Sequence, residues 1–343
     1  MDDVNVLVAG VPYGYQGDYA DGTWLTAAMA DRIRAVSPRI RLEHLSAHSM
    51  NGGQQPSRAP HAMLVETSGT DRSWDSLPAI VFGPALVPAI TPQLRLLQSA
   101  SAGVEQLLGM VPVGVTLCNA SGVHSAAIAE TVLASILVDA KMLYQRRRDQ
   151  AERAWRQLPC RELRGSVMVV LGTGRIGTAT ARLARPFGMT TIGVRRQAAS
   201  APEFDQVVGT AELLDVLPKA DYLVIACPLT PETRGLIDAG AFAALKDGAF
   251  LANVARGAIV DEKALIETLR GGRLSGAFLD SHVDEPLQPD NPLWDMRGVD
   301  ISPHDSHSSQ LLGDNHVDLF CDNLRRLIDG RDFVNVIDRS RGY

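Results

Sequence analysis

The sequence predicts an α/β protein in which helices cover both faces of parallel sheets. Short β-rich runs alternate with stretches of helical length, and they lie at 5–10, 79–83, 167–172, 221–227 and 249–255. Several of these runs are apolar throughout, as strands are when both faces of their sheet are covered. The chain of 343 residues exceeds one typical domain of ~100–200 residues, so we expect two domains with a cleft between them.

Composition excludes several classes of protein. Hydrophobic residues make up 45% of the chain, charged residues 21%, and the formal net charge is -6, which argues against a general affinity for nucleic acid. The first residues contain no basic segment that leads into an apolar one, and no apolar run approaches the ~18–20 residues of a membrane span. The four cysteines form no C-x-x-C pair, so neither a zinc site nor a disulfide framework is indicated. We therefore expect a cytoplasmic protein that binds no membrane, nucleic acid or metal.

Two helices follow from apolar periodicity. The stretch 125–150 predicts one long helix whose apolar face is formed by Ile128, Val132, Ile136, Ala140 and Tyr144. Near the end of the chain, a second helix with one buried face is predicted from the spacing of Val317, Phe320, Leu324, Leu327 and Ile328.

A glycine-rich loop joins the strand at 167–172 to a predicted helix. Gly172, Gly174 and Gly177 fit the pattern G-x-G-x-x-G. The first glycine permits the tight turn, the second lets the backbone approach a pyrophosphate, and the third lets helix and strand pack closely. The free N–H groups at the start of the helix bind the diphosphate. The loop therefore predicts a Rossmann-like dinucleotide-binding domain.

The next strand indicates which dinucleotide is bound. In a site that selects NAD, this strand ends on Asp or Glu, which accepts hydrogen bonds from the ribose hydroxyls. Here it ends on Arg195 and Arg196, whose guanidinium groups donate hydrogen bonds and suit a ribose 2′-phosphate. NADP(H) is therefore favoured, and NAD(H) stays possible if both arginines face water.

Several further motifs occur in a fixed order. They are "QSASAGVE" (98–105), "NASGVHSAAIAE" (119–130), the glycine loop, "CPLTPETRGLI" (227–237), "NVARGAIVDEKAL" (253–265), "GAFLD" (276–280), "DEPL" (284–287), "NPLW" (291–294) and "SPH" (302–304). In these motifs, from about residue 79 onward, the chain resembles the D-isomer-specific 2-hydroxyacid dehydrogenase family, and in particular its glyoxylate and hydroxypyruvate reductases.

The resemblance implies a domain organisation. A dinucleotide-binding Rossmann domain at 122–304 would be inserted into a flavodoxin-like substrate domain formed by 1–121 and 305–343. Both would be doubly wound parallel-sheet domains. The resemblance also suggests a homodimer formed largely through the inserted domain.

The resemblance assigns the chemistry of a 2-oxo acid reductase to Arg256, Glu285 and His304. Arginine offers a planar, permanently charged fork for the substrate carboxylate. Histidine exchanges a proton near neutral pH and would protonate the carbonyl oxygen during reduction. Glu285 would hold the histidine ring and favour its protonated form.

The resemblance further implies residues that contact cofactor and substrate. The cofactor contacts are Gly172, Gly174, Arg175, Ile176, Gly177, Arg195, Arg196, Cys227, Pro228, Thr233, Val254, Ala255, Arg256, Asp280 and His304. Among them, Asp280 would bind the nicotinamide carboxamide. The substrate contacts are Ala102, Gly103, Val104, Arg256 and His304.

Some features depart from the family or stay open. Where many members read Asp-Val-Phe, this chain reads Asp280-Ser281-His282, and Asp305 and His307 follow His304. These polar groups would either alter substrate choice or the pKa of His304, or they would be surface residues of two loops. The side chain of the substrate would lie near Tyr13, Tyr15, residues 82–86 and Trp294, which leaves the particular 2-oxo acid undetermined.

Two other functions are compatible with the same motifs. A nucleotide-sensing corepressor of this fold would bind the cofactor and reduce 2-oxo acids poorly. A phosphite dehydrogenase would reduce the cofactor with phosphite. Formate oxidation is disfavoured, because formate dehydrogenases carry Gln in the position of Glu285.

Overall fold

The computed structural model describes residues 4–9, 25–45, 62–65, 94–104, 107–109 and 111–340. The chain divides into two compact units, one formed by Met1–His124 with Ser308–Tyr343 and the other by Ser125–His307. The chain thus passes between units a few residues after the predicted boundaries at 121 and 304. The predicted strand at 79–83 lies outside the described residues, whereas the other four predicted strands are confirmed.

The described residues form the following strands and helices. The strands are β1 Val4–Ala9, β2 Ile40–Leu45, β3 Ala62–Val65, β4 Leu96–Ser99, β5 Thr116–Cys118, β6 Val167–Leu171, β7 Thr190–Arg195, β8 Gln206–Gly209, β9 Tyr222–Ile225, β10 Ala249–Asn253, β11 Leu274–Leu279 and β12 Val299–Ile301. The α-helices are α1 Ala27–Arg34, α2 Ser125–Ala140, α3 Leu143–Ala151, α4 Arg175–Ala184, α5 Leu213–Val216, α6 Ala239–Ala244, α7 Glu262–Arg270 and α8 Leu312–Asp329.

The first unit contains a parallel sheet in the order β2-β1-β3-β4-β5. This is the strand order of flavodoxin-like doubly wound sheets. Helix α8 packs on the sheet through Val317, Phe320 and Leu324, which are completely buried, so the predicted amphipathic helix is confirmed. The buried Asn323 on the same helix is satisfied, since it donates to Gln98 Oε1 at 2.7 Å and accepts from the N–H of Val334 at 2.9 Å.

The second unit contains a parallel sheet in the order β12-β11-β10-β9-β6-β7-β8. The chain builds outward from β6 to β8, returns to place β9 on the other side of β6, and then continues to β12. The order therefore reverses between β6 and β9. In open α/β sheets, ligands bind at such a switch point, beyond the carboxyl ends of the strands. The predicted α/β fold with two doubly wound parallel sheets is confirmed.

The single helix predicted over 125–150 is wrong. Helix α2 ends at Ala140 and α3 begins at Leu143, and between them Met142 takes a left-handed conformation with φ 51°. The carbonyl oxygen of Ala140 accepts from the N–H of Arg161 at 2.9 Å, and the Arg161 side chain pairs with Asp139. The segment around Arg161 thus occupies the carbonyl oxygen of Ala140, which the next helical turn would have used.

All four cysteines are free, and Cys118, Cys227 and Cys321 are buried. Within the described ranges, no helix combines the length and the apolar composition that crossing a membrane requires.

Asp300 on strand β12 predicts a pH-dependent stability. Burial raises the pKa of its carboxyl from 3.8 to about 6. Ionisation of Asp300 is therefore less favourable in the folded state than in the unfolded state. The resulting loss of free energy of unfolding is absent below pH 3.8, grows as pH rises and is complete above about pH 6. At ~1.4 kcal/mol per pKa unit, Asp300→Asn is expected to raise the free energy of unfolding by about 1–3 kcal/mol at pH 8 and by less at pH 4.5. Urea unfolding at the two pH values measures both gains.

The exposed Asp290 provides a matched control for this prediction. Asp290→Asn makes the same chemical change without the burial, so its effect is expected to stay within about 0.5 kcal/mol. An equal gain for Asp300→Asn at both pH values would contradict the electrostatic explanation.

Candidate active site

The glycine loop between β6 and α4 has the geometry of a pyrophosphate cradle. Gly172 has φ 109°, and a Cβ atom there would lie 2.6 Å from the carbonyl oxygen of Ala226, so only glycine fits. A Cβ on Gly177 would collide with the carbonyl oxygen of Gly172. At Gly174, the N-cap of α4, no atom lies within 4 Å of the position that a Cβ would take. The backbone is thus open to a ligand at the position where the motif requires it, and the residues fit a dinucleotide.

The two arginines follow the glycine loop in space as well as in sequence. Arg195 is the last residue of β7, which pairs with β6, and both Arg195 and Arg196 are exposed. In the part of the chain that the structure describes, neither guanidinium belongs to an ion pair. The pKa of the Glu232 carboxyl is lowered by a hydrogen bond from Thr230 and, to a smaller extent, by the charge of Arg196. Arg196 therefore lies near the loop that follows β9.

This loop after β9 contains Cys227, Pro228 and Thr233. Burial raises the pKa of the Cys227 thiol to about 11, so the thiol stays neutral at physiological pH. The hydroxyl of Thr233 accepts from the N–H of Thr230 at 2.7 Å and donates to the carbonyl oxygen of Pro228 at 2.8 Å. These bonds close the loop on itself at the sheet's switch point, beside Gly172.

Arg256 follows strand β10 and is held by a buried asparagine. Asn253, the last residue of β10, donates from its amide to the carbonyl oxygen of Arg256 at 3.0 Å and accepts from the N–H of Ala255 at 3.1 Å. Val254 and Ala255 are buried. Arg256 is half-buried, and its Nη1 donates to the carbonyl oxygen of Ala255 at 2.8 Å. Asn253 is not among the predicted site residues, although an amide that ends an apolar strand was a usable signal.

Glu285 and His304 form a hydrogen-bonded pair. His304 Nδ1 lies 3.1 Å from Glu285 Oε1 and 3.0 Å from Oε2. Glu285 Oε1 also accepts from the N–H of His282 at 3.0 Å. Burial would raise the pKa of the Glu285 carboxyl, but its hydrogen bonds and the charge of His304 outweigh burial and hold the pKa below its ordinary value. The carboxylate is therefore ionised near neutral pH and orients the imidazole.

The backbone of His304 is strained, and Asp280 holds the segment around it. His304 has φ 57°, a conformation that costs a residue other than glycine about 1–3 kcal/mol and persists only where neighbouring contacts enforce it. Asp280 Oδ1 accepts from the hydroxyl of Ser302 at 2.7 Å and from the N–H of Ser306 at 2.9 Å. Asp280 Oδ2 accepts from the hydroxyl of Ser306.

These contacts bear on the predicted role of Asp280. Its side chain is 2% exposed, and both carboxylate oxygens are engaged by serines on either side of His304. The predicted bond to a nicotinamide carboxamide stays a prediction. Ser302 and Ser306 are not among the predicted site residues, and their only signal in the sequence was their place beside His304.

The remaining predicted residues lie elsewhere. Ala102, Gly103 and Val104 belong to the first unit, on the loop after β4, where the carbonyl oxygen of Ala102 accepts from Asn119 Nδ2 at 2.8 Å. Trp294 is 52% exposed, and its Nε1 donates to the carbonyl oxygen of Gln288 at 2.9 Å. Tyr13, Tyr15 and residues 82–86 lie outside the described residues.

The site residues of the second unit thus share one location. The glycine loop follows β6, Arg195 ends β7, and Arg256, Glu285 and His304 follow the adjacent strands β10, β11 and β12. Because all these strands are parallel, their carboxyl ends lie along one edge of the sheet. The arrangement can hold a dinucleotide next to a carboxylate-oriented histidine and an arginine.

Comparison with known proteins agrees with this geometry. Residues 133–306 match the sequence model of a family described as "D-isomer specific 2-hydroxyacid dehydrogenase, NAD binding domain". A glyoxylate reductase from Aeropyrum pernix is 31% identical to this chain over 260 residues, which cover 73% of this chain and 78% of that protein.

Solved structures extend the similarity to the whole chain. A D-isomer specific 2-hydroxyacid dehydrogenase family protein from Aeromonas salmonicida is 29% identical and has a TM-score of 0.79, with 99% of this chain and 100% of that chain covered. A D-isomer specific 2-hydroxyacid dehydrogenase from Xanthobacter autotrophicus, solved in complex with NADPH and MES, is 27% identical and has a TM-score of 0.78, with both chains covered completely at 100%.

Proposed function

Because this chain belongs to the D-isomer specific 2-hydroxyacid dehydrogenase family, we propose that it reduces a small 2-oxo acid to the D-2-hydroxy acid with NADPH, as a glyoxylate or hydroxypyruvate reductase does. The chain is an NAD(P)-dependent oxidoreductase for small 2-hydroxy or 2-oxo acids. Support for the choice of substrate comes from the similarity to a glyoxylate reductase.

One observation carries the catalytic part of the proposal, namely the pairing of His304 Nδ1 with the ionised Glu285 at 3.0–3.1 Å. A carboxylate on one ring nitrogen favours the protonated imidazole and leaves the other nitrogen for proton transfer. We therefore assign His304 Nε2 as the atom that protonates the carbonyl oxygen of the substrate. In the reverse reaction the same atom would accept the hydroxyl proton.

The other residues follow from the same chemistry. When bound, the nicotinamide supplies the hydride to the carbonyl carbon. Arg256 binds the substrate carboxylate through its planar fork and stabilises the negative charge that develops on the carbonyl oxygen. After His304 has given its proton from Nε2, the neutral ring keeps the proton on Nδ1, and Nδ1 still donates a hydrogen bond to Glu285. We also propose the N–H groups of Ala102, Gly103 and Val104 as donors to the substrate carboxylate.

The proposed preference for NADPH predicts the effect of changing Arg195. Arg195→Asp replaces a donor to the ribose 2′-phosphate by a group that repels it. A charged hydrogen bond contributes about 1.5–3 kcal/mol, so KM for NADPH is expected to rise by roughly 10- to 100-fold while KM for NADH stays within about threefold. Initial rates with both cofactors at saturating 2-oxo acid measure the ratio.

The exposed Arg270 at the end of α7 provides the control, because it lies on another helix of the same unit. Arg270→Asp makes the same change in charge and is expected to leave the preference between the two cofactors unchanged. Equal losses with NADPH and NADH in Arg195→Asp would disprove the selectivity assigned to this arginine.

We further propose that the enzyme works as a cytoplasmic homodimer. Its free cysteines suit a reducing compartment. Three large side chains near α3 are exposed on the second unit, namely Leu143, Tyr144 and the fully exposed Trp155, and burial against a second copy would remove this apolar surface from water. Analytical ultracentrifugation of the purified protein distinguishes a dimer from the 36.9 kDa monomer.

The experiment that tests the proposed function follows NADPH and NADH oxidation with glyoxylate, hydroxypyruvate, pyruvate and phenylpyruvate. Turnover of glyoxylate or hydroxypyruvate that is faster with NADPH would support the proposal, and the ranking of the four acids would measure the size of the substrate pocket. Tight NADPH binding without turnover of any 2-oxo acid would overturn it. Cofactor reduction with phosphite would indicate a different donor.

A further inference from the structure

His282 contacts Glu285 and the segment that leads into His304, and it has no part in the proposed proton transfer. It is 8% exposed, and its backbone N–H donates to Glu285 Oε1 at 3.0 Å. Its side-chain Nε2 lies 3.2 Å from the carbonyl oxygen of Ser302, two residues before His304. We propose that His282 is a positioning residue that sets the separation of Glu285 and His304 through its bond to Ser302, an inference that rests on the function proposed above.

The direction of the bond from His282 follows from its partner. A carbonyl oxygen only accepts, so Nε2 of His282 carries the proton. This holds for the neutral ring with its proton on Nε2 and for the charged ring, so the bond does not require His282 to be charged. The bond therefore links the segment after β11 to the segment after β12 on either side of neutral pH.

In this chain the bond acts on a segment that is sensitive to it because of the conformation of His304. His304 has a positive φ, so its segment keeps this conformation only while contacts on both sides hold it. Asp280 binds the hydroxyl of Ser302 and the backbone N–H of Ser306. Asp280 does not bind the carbonyl group of Ser302, and His282 does. His282 therefore fixes the orientation of the peptide group between Ser302 and Pro303, directly before His304.

The surroundings of His282 limit how far it can move. The carbonyl group of His282 lies against Gly257, where a Cβ atom would collide with it, and Gly257 directly follows Arg256. His282 also lines a small pocket with Glu262 and Ser281. Among the described residues, these contacts bring the carboxylates of Glu285 and Glu262 near His282, and Ser302 links it to Asp280 and to the segment of His304. Because the ring of His282 is packed in this way, its bond to Ser302 fixes the segment before His304 relative to the end of β11.

Two substitutions separate the hydrogen bond from packing and charge. His282→Phe keeps a planar ring and removes the donor. His282→Gln keeps an amide donor at a position close to that of Nε2. Both remove the same ionisable group, so a difference between them reports on the bond to Ser302. We expect His282→Phe to lower kcat for 2-oxo acid reduction by about 10- to 100-fold, with KM for the acid and Kd for NADPH within about twofold of wild type.

The conservative variant and the pH profile of kcat distinguish a positioning role from a purely structural one. His282→Gln is expected to keep kcat within about threefold of wild type. In His282→Phe, the half-maximal point on the acid side of the reduction profile is expected to move to higher pH, because a carboxylate displaced from His304 loses the hydrogen bond that lowers the pKa of Glu285. A purely structural role would instead lower kcat in both variants together with Tm and leave the profile in place.

A second readout does not depend on turnover. Protein labelled with ¹³C-glutamate gives a carboxyl signal for Glu285 that is assigned by its loss in Glu285→Gln. The midpoint of its pH titration lies below the ordinary value in the wild type; it is expected to rise in His282→Phe and to stay at the wild-type value in His282→Gln. Unchanged midpoints in both variants would overturn the positioning role. If the wild type reduces no 2-oxo acid but the midpoint rises in His282→Phe alone, the proposed function fails and the positioning role stands.

Discussion

Replacing His304 by alanine is expected to lower kcat for the reduction of a 2-oxo acid by about 10²- to 10⁴-fold, the usual contribution of a positioned general acid. His304 is the proton donor in the proposed reaction, and alanine removes the donor without adding bulk. Binding of NADPH, followed by fluorescence titration, is expected to change by less than about threefold, because the glycine loop and Arg195 are untouched. Single-turnover rates measured at saturating NADPH isolate the chemical step.

Glu285→Gln provides the matched variant for this test. The amide keeps the shape of the side chain but lacks the negative charge that favours a protonated His304. The wild-type profile is expected to stay level on the acid side down to below pH 4.5, because the pKa of the Glu285 carboxyl lies under that ordinary value. In Glu285→Gln, which has no ionisable group at this position, the decline of the wild-type rate on the acid side should be absent. A His304→Ala enzyme with wild-type kcat would eliminate the proton-donor assignment.

Replacing Arg256 by alanine is expected to lower kcat/KM for a 2-oxo acid by about 10²- to 10³-fold. This corresponds to the loss of two charged hydrogen bonds of about 1.5–3 kcal/mol each, allowing for partial compensation by water. Arg256→Lys keeps the positive charge but lacks the planar guanidinium group, so an intermediate loss of kcat/KM is expected. Because Arg256 is assigned to the substrate carboxylate and to the developing oxyanion, both KM and kcat should change. Steady-state kinetics with glyoxylate and pyruvate measure the two parameters.

A pair of substrates tests whether the loss belongs to the carboxylate. Methylglyoxal and pyruvate share a reactive carbonyl group and differ in the carboxylate. Wild-type enzyme is expected to prefer pyruvate, and most of this preference should disappear in Arg256→Ala. A loss of equal size with both substrates would place Arg256 away from the carboxylate and assign it a structural role.

Much of the fold was predictable because its signals are local. The apolar runs at 167–172, 221–227 and 249–255 form strands of the sheet, and the glycines that follow the first run form the predicted turn. The burial of α8 followed from its spacing of apolar residues. The prediction of one helix over 125–150 was wrong because the N–H of Arg161 binds the carbonyl oxygen at the end of α2. Periodicity within a segment contains no information about a partner elsewhere in the chain.

By itself, the sequence determined the parallel α/β class, the phosphate loop, the two arginines after it and the residue types of the candidate site, because each depends on neighbours along the chain. Only the tertiary structure decided which groups meet. The bonds from Glu285 to His304, from Asp280 to Ser306 and from Asn253 to Arg256 depend on how the parallel strands β10, β11 and β12 are aligned. That alignment is set by packing across the sheet, and no single segment of the sequence encodes it.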